Sequence, residues 1–206
     1  MWRSLIYPIG RVHPHYNTFV KWSLISNICI SAESVLSTHS MLSALNINNN
    51  SMNMSYNYVG KDIIGQIGGM IYINKFAKQA DQDPKRFIKY SMIIQQTSTL
   101  LECATPILPL SLFLPFGSMA NIGKNISFAG FGAINAKIIQ KLAVDNNIGE
   151  IYAKLTVINT FGSTLGMSLG LLIASIFPDH GTRLIITSLF GIIRYYSYFK
   201  ATNKFF

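Results

Sequence analysis

The chain has 206 residues, 50% hydrophobic and 12% charged, with a formal net charge of +9. Soluble domains carry about 25% charged residues, so this composition points away from a soluble enzyme and towards an apolar setting. The basic excess is not gathered in an Arg-rich module, which argues against a nucleic-acid partner. Cys29 and Cys103 both sit inside apolar stretches, which excludes a disulfide framework and a four-ligand zinc site.

The first 32 residues hold Arg3, Arg11 and Lys21 and no acid; the first is Glu33. This resembles a weak organellar targeting segment. Pro8 and Pro14 break any long amphipathic helix there, so residues 1–18 are read as a retained basic arm. His13-Pro-His15 is read as part of that arm rather than as a metal site. With no linker in sight, residues 19–200 form one helical membrane domain and 201–206 a short tail.

Six apolar segments follow in chain order. The first, Phe19 to Leu45, is Ser-rich and carries Glu33, which predicts that one side faces protein. The Asn-rich run 46–57 reads as a polar loop. The second, Val59 to Ala77, has Gly65, Gly68 and Gly69, which weaken an isolated helix but let backbones approach closely. Asp83-Pro84 is an N-cap followed by a first-turn proline. The third segment, Phe87 to Phe116, is too long for one crossing, and Pro106 and Pro109 predict a kink or an end near Thr105. The fourth runs from Gly117 to Ala143. The fifth, Ile151 to Phe177, carries Gly162, Gly166 and Gly170, a doubled small-xxx-small pattern. The sixth is Thr182 to Phe199. The predicted fold class is an all-α integral membrane bundle of about six helices, some kinked or partial.

With both termini on one side, fourteen Lys and Arg residues fall on that side (Lys75, Arg194 and Arg3 among them) and three, Lys61, Lys124 and Arg183, on the other. Such segregation follows the positive-inside rule. The polar stretch Asp145 to Lys154, "DNNIGEIYAK", is then the connection between the fourth and fifth segments, with Asn146-Asn147 suited to a left-handed turn.

Several stretches, in this order, carry a resemblance: "YP" at 7–8, "KDIIGQIGG" at 61–69, "DPKRF" at 83–87, "LLECATPILP" at 100–109, "NIGK" at 121–124, "AGFGA" at 129–133 and "NNIGEIYAK" at 146–154. Together they resemble the root-UVB-sensitive family over nearly the whole chain. The resemblance implies a helical, membrane-associated protein, with plant relatives linked to plastids and vitamin B6 homeostasis. No catalytic mechanism comes with it. Relatives continue into a further C-terminal region, so a core-only version is expected here. The chain also departs from the family pattern. Met92 and Gln96 stand where two aspartates are usual, Asn135 where an arginine is usual, and Ile158-Asn159 where a Gln-Glu pair is usual.

Glu102 is the acid deepest in an apolar run. Burying it unpaired costs roughly 3 kcal/mol or more, so a partner is expected, either Lys124 or Lys61. Lys61-Asp62 is expected to begin the second helix and meet headgroups rather than bind a zwitterion. The candidate intramembrane polar site is therefore Glu102, Lys124, Lys61 and Asp62. Gly65, Gly69, Gly162, Gly166 and Gly170 are the candidate packing glycines. Lys85, Arg86, Lys137 and Lys141 are the candidate contacts to lipid headgroups. No P-loop, dinucleotide loop, nucleophile elbow or H-E-x-x-H occurs. The expectation is a non-catalytic protein without cofactor or metal, an accessory subunit of a larger organellar membrane complex. Its partners would be other membrane subunits and anionic lipids, its location the mitochondrial inner membrane, with a plastid membrane as alternative. The competing expectation is a transporter or binder of a small anionic metabolite such as a B6 vitamer, with Glu102, Lys124 and Lys61 converging on a wet cavity.

Overall fold

The computed structural model describes residues 6–46 and 51–206, without the side chains of 46, 51–54 and 75–77. Arg3 and the Lys75 side chain, both used in the charge topology, lie outside the described residues. The described chain is all-α. Its helices are α1 (Tyr16–Asn46), α2 (Ser51–Gln82), α3 (Pro84–Ala104), α4 (Phe113–Leu142), α5 (Ile148–Ile176) and α6 (His180–Thr202). Two short 3-10 turns, Thr105–Ile107 and Leu110–Leu112, join α3 to α4.

Local chemistry sets the boundaries. Asp83 caps α3, its Oδ1 accepting the Arg86 N–H at 3.1 Å, and Pro84 occupies the first turn, where its missing N–H costs nothing. α3 ends at Ala104 because Pro106 and Pro109 cannot extend the hydrogen-bond ladder, so the predicted break near Thr105 is present. Asp179 caps α6 by accepting the Thr182 N–H at 2.7 Å and the Thr182 hydroxyl at 2.9 Å. The Thr182 N–H bond holds this carboxyl below the usual carboxylate range.

One boundary differs from expectation. α2 starts at Ser51, not Val59, so helix covers much of the run read as a loop; residues 47–50 lie outside the described residues. Tyr58 packs on the buried cluster of Met41, Ala44, Leu45 and Phe113, and that tertiary contact outweighs the poor helix propensity of the Asn-rich segment.

The register of contacts shows alternating directions. Gly162, Gly166 and Gly170 of α5 meet Leu24, Ile28 and Ala32 of α1 in rising order, so α1 and α5 run parallel. Gly65 and Gly69 of α2 meet Asn121 and Asn125 of α4 in the same sense. Gly123 and Gly130 of α4 meet Ser98 and Ser91 of α3 in reverse, as Arg183 and Arg194 of α6 meet His39 and Glu33 of α1. Thus α1, α3 and α5 run one way and α2, α4 and α6 the other. The N-terminal arm from residue 6, the C-terminus and the α4–α5 connection share one end, where Val12 bridges Ala143 and Phe19 meets Phe205 at 5.7 Å.

Apolar packing is concentrated near the two ends. The terminal end holds Tyr16, Phe19, Ile88, Ile138, Leu142, Ile151, Leu155 and Phe205, and the far end holds Met41, Leu45 and Phe113. Between them the interior is small and polar: Ser26, Glu33, Ser37, Ser98, Thr99, Glu102, Thr187 and Arg194 are all buried. Among the described residues two helices, Tyr16–Leu45 and Ile148–Ile176, are long and apolar enough to cross a membrane, with mean hydropathy of 1.2 and 1.5.

Candidate functional site

The polar middle contains two separate ion pairs. Glu102 on α3 is paired with Lys124 on α4, and Lys124 Nζ also donates to Ser37 Oγ on α1 at 3.2 Å. Of the two partners expected for Glu102, the structure supplies Lys124. Three helices are tied at this point. Lys61 lies elsewhere. It sits ten residues into α2 rather than at its start, is 4% exposed, and pairs with Asp62 at 2.6 Å. Its Nζ lies 4.1 Å from the Tyr58 ring centre, and Asn121 Nδ2 donates to Asp62 at 2.9 Å. The residues of the expected polar site therefore form two clusters, Glu102–Lys124 and Lys61–Asp62.

The second pair in the middle joins Glu33 of α1 to Arg194 of α6 at 3.3 Å. Sequence reasoning missed it. The charge count by loops places Arg194 on the basic face, but it is 3% exposed and lies inside the bundle. Lys61, Lys124 and Arg183 are likewise not loop charges. Arg183 is buried and caps α5, donating to Phe177 O at 2.7 Å and Ala174 O at 3.0 Å, with Nη1 2.9 Å from His39 Nδ1. A signal for Arg194 was available. Arg183, Thr187, Gly191, Arg194 and Tyr198 recur every three or four residues and form the buried face of α6.

The Glu33–Arg194 pair is poorly satisfied. Arg194 Nη2 donates to Gln96 Oε1 at 2.8 Å, and Gln96 Nε2 in turn donates to the Thr187 carbonyl at 3.2 Å. Arg194 Nε and Nη1 and both Glu33 oxygens make no hydrogen bond of good geometry within the chain. Arg194 also lines a groove of about 470 Å³ between α4 and α5, floored by Ser23, Ser26 and Asn27 of α1. Asn135 and Phe128 of α4 and Thr156, Asn159 and Thr160 of α5 form its walls, and Met92 and Tyr198 line it with Arg194. A second hollow of about 600 Å³ shares Ser23, Phe128, Asn135, Thr156 and Asn159 and continues to Gln140 and Ile148 near the α4–α5 connection. Met92, Asn135 and Asn159, three of the positions that depart from the family pattern, line the groove; Gln96 holds Arg194 behind it.

That connection is a clasp. Asn146 adopts φ 55°, and the carboxylates around it hold the N-terminal arm: Glu150 accepts from Ile9 N at 2.7 Å and Asp145 from Arg11 N at 3.0 Å. Among the expected headgroup contacts, Lys85 lines a pocket with Lys89, Tyr195 and Phe199, and Arg86 bonds the Tyr90 hydroxyl at 3.0 Å. Lys137 and Lys141 have partners within the chain. Lys137 donates to Ala80 O at 2.9 Å and pairs with Asp81 at 2.8 Å, and Lys141 donates to Phe205 O. The candidate packing glycines all lie at helix contacts: a Cβ on Gly65, Gly69, Gly162, Gly166 or Gly170 would approach a neighbouring helix within 3 Å. Among the described residues no group of three His, Cys, Asp or Glu is placed to hold a metal.

The profile of the vitamin B6 photo-protection and homoeostasis domain matches residues 7–204. Root UVB sensitive 4 of Arabidopsis thaliana is 30% identical over 84% of this chain and 34% of its own length. Root UVB sensitive 2, chloroplastic, of the same plant is 26% identical over 93% and 44%. RUS family member 1 of Dictyostelium discoideum is 24% identical over 82% and 32%. The chain thus spans less than half the length of these relatives. No solved structure matches it. The ordered motifs and the match along almost the whole chain agree: this chain belongs to the root-UVB-sensitive family.

Proposed function

We propose that the chain is a non-catalytic integral membrane protein whose six helices all cross the bilayer, acting as a structural accessory subunit of a larger organellar membrane assembly. The observation that carries this is an inside-out distribution of polarity. α6 buries Arg183, Thr187, Gly191, Arg194 and Ser197 and exposes Ile185, Leu189, Ile192, Ile193 and Phe199. α2 exposes Ile63, Ile64, Ile67, Met70 and Ile71 while Lys61 is buried, and α4 buries Gly117, Ser118, Gly123 and Ser127 while exposing Met119 and Phe128. In water this arrangement leaves apolar surface uncovered; in lipid or against other membrane subunits it is the stable one. Inward polar residues lower the mean hydropathy of α4 and α6, whereas α2 and α3 also carry exposed polar residues such as Gln66, Lys78, Lys85 and Arg86.

The accessory role is supported by α2. It packs chiefly on α4 and presents the rest of its circumference, a wide Ile-rich face, outwards. The proposed location is the mitochondrial inner membrane. A relative named as chloroplastic favours the plastid instead. The expected transport site has less support, since Lys61 pairs with Asp62 and none of Glu102, Lys124 and Lys61 lines the α4–α5 groove.

Alkaline carbonate extraction of organelle membranes tests the embedding: the chain stays in the pellet, and release into the supernatant would refute six crossings. Native electrophoresis in mild detergent tests the accessory role. Migration in a larger assembly with co-purifying subunits is expected, and a stable, monodisperse monomer overturns it.

A further inference from the structure

We infer that the α4–α5 groove is a binding site for a small anion, a phosphate or carboxylate borne on a hydroxylated backbone, with Arg194 as its anchor. Arg194 is 3% exposed and yet lines the groove. It carries the only charge among the lining residues. Its guanidinium is held in place through Nη2, which donates to Gln96. Nη1 makes no hydrogen bond within the chain, and Nε meets Glu33 only at 3.3 Å. A buried guanidinium with spare donors is costly unless something accepts from them, and an oxyanion in the groove is a charge-matched acceptor.

The walls define the rest of the ligand. Thr156 and Thr164 donate their hydroxyl protons to carbonyls on their own helix, at 2.9 and 3.0 Å, which leaves their oxygens as acceptors. Asn135 Oδ1 sits 3.4 Å from the Tyr198 hydroxyl, and its amide adds donors. Acceptors along the walls suit ligand hydroxyls; donors at Arg194 suit the anion. About 470 Å³ lies within the range of small-molecule sites. The groove is open between two helices whose outer residues are apolar, Phe128 being 80% exposed, and it leads towards the α4–α5 connection. A solute from water and the headgroup of an anionic lipid share the required chemistry. The site does not depend on the accessory role: the groove lies within one chain.

The test uses the full chain in an uncharged detergent, with thermal unfolding followed against glycerol 3-phosphate, lysophosphatidic acid and glycerol. A saturable rise in the midpoint with either phosphate compound, and none with glycerol, is expected. A rise with glycerol 3-phosphate alone identifies a soluble ligand, and one with lysophosphatidic acid alone a lipid. Two variants locate the site. Glu33→Gln with Arg194→Gln removes the anchor while leaving no lone buried charge. Thr160→Trp, at an exposed position, fills the groove without touching the pair. Each weakens binding by about tenfold or more, the weight of a charge-assisted hydrogen bond. Equal stabilisation by glycerol, no stabilisation by either phosphate, or unchanged affinity in the folded Thr160→Trp protein overturns the assignment.

Discussion

Glu102–Lys124 and Glu33–Arg194 are both buried acid–base pairs in the polar middle of the bundle, yet they are built differently. Glu102 is 4% exposed, and its lysine reaches a second acceptor, Ser37, so one cation ties α1, α3 and α4. Glu33 and Arg194 are 1% and 3% exposed, and their spare polar atoms go unbonded within the chain. The first pair is closed on itself. The second fronts a groove. Burial alone therefore does not distinguish a lock from a site; the completeness of hydrogen bonding does.

Removing charge separates them. Lys124→Met leaves Glu102 buried without its partner and destabilises the bundle by about 3 kcal/mol, read from SDS titration of the detergent-solubilised protein. Adding Glu102→Gln recovers part of this loss but not all, because the tie to Ser37 is gone. Glu33→Gln with Arg194→Gln, in contrast, leaves stability within about 1 kcal/mol of the parent, since a poorly satisfied buried pair offsets little of its own desolvation. Equal cost for the two double variants would erase the distinction between lock and site.

Much of this architecture was legible in the residues. Glycine spacing, proline positions and the Asp83-Pro84 cap predicted the helix order and the break near Thr105, because these signals are local. The Glu102 pairing was legible too, since a lone acid in an apolar run demands a cation. The start of α2 was not, because Tyr58 earns its helix by packing on Met41 and Phe113, far away in sequence. Arg194 was misassigned for a related reason. Counting cations by loop treats each as solvated, whereas its position on the buried face of α6 appears only when the helical period of that segment is followed. The departures from the family pattern were better guides to the groove than the charges retained: Met92, Asn135 and Asn159 line it and Gln96 orients its arginine.

The α1–α5 seam, which sets the floor of the groove against one wall, offers a second contrast within one glycine stripe. A Cβ at Gly166 would lie 2.3 Å from the Ile28 carbonyl oxygen, a backbone atom that cannot turn away. At Gly162 the nearest atom is Leu24 Cδ1 at 2.9 Å, the tip of a flexible side chain. Gly166→Ala is expected to cost about 2 kcal/mol by forcing the helices apart. Gly162→Ala is expected to be nearly neutral, because about 1 kcal/mol of helix propensity gained offsets the small repacking. Similar losses at both sites in the same unfolding assay would mean that the seam is looser than these distances imply.

The smallest effect is expected at the clasp, the polar stretch between α4 and α5 towards which the groove leads. Asn146 sits at φ 55°, a left-handed conformation that asparagine tolerates and a β-branched residue does not. Asn146→Val should cost about 1–2 kcal/mol locally, and Asn146→Gly little, since glycine adopts this backbone freely. Because Asp145 and Glu150 on either side accept from Arg11 N and Ile9 N, strain at 146 is transmitted to the N-terminal arm rather than to the helices. Hydrogen exchange at the Ile9 and Arg11 amides is the measurement. The valine variant should speed exchange there and leave the α3–α4 amides around Glu102 and Lys124 unchanged, whereas acceleration at both would show that the clasp and the lock belong to one cooperative unit.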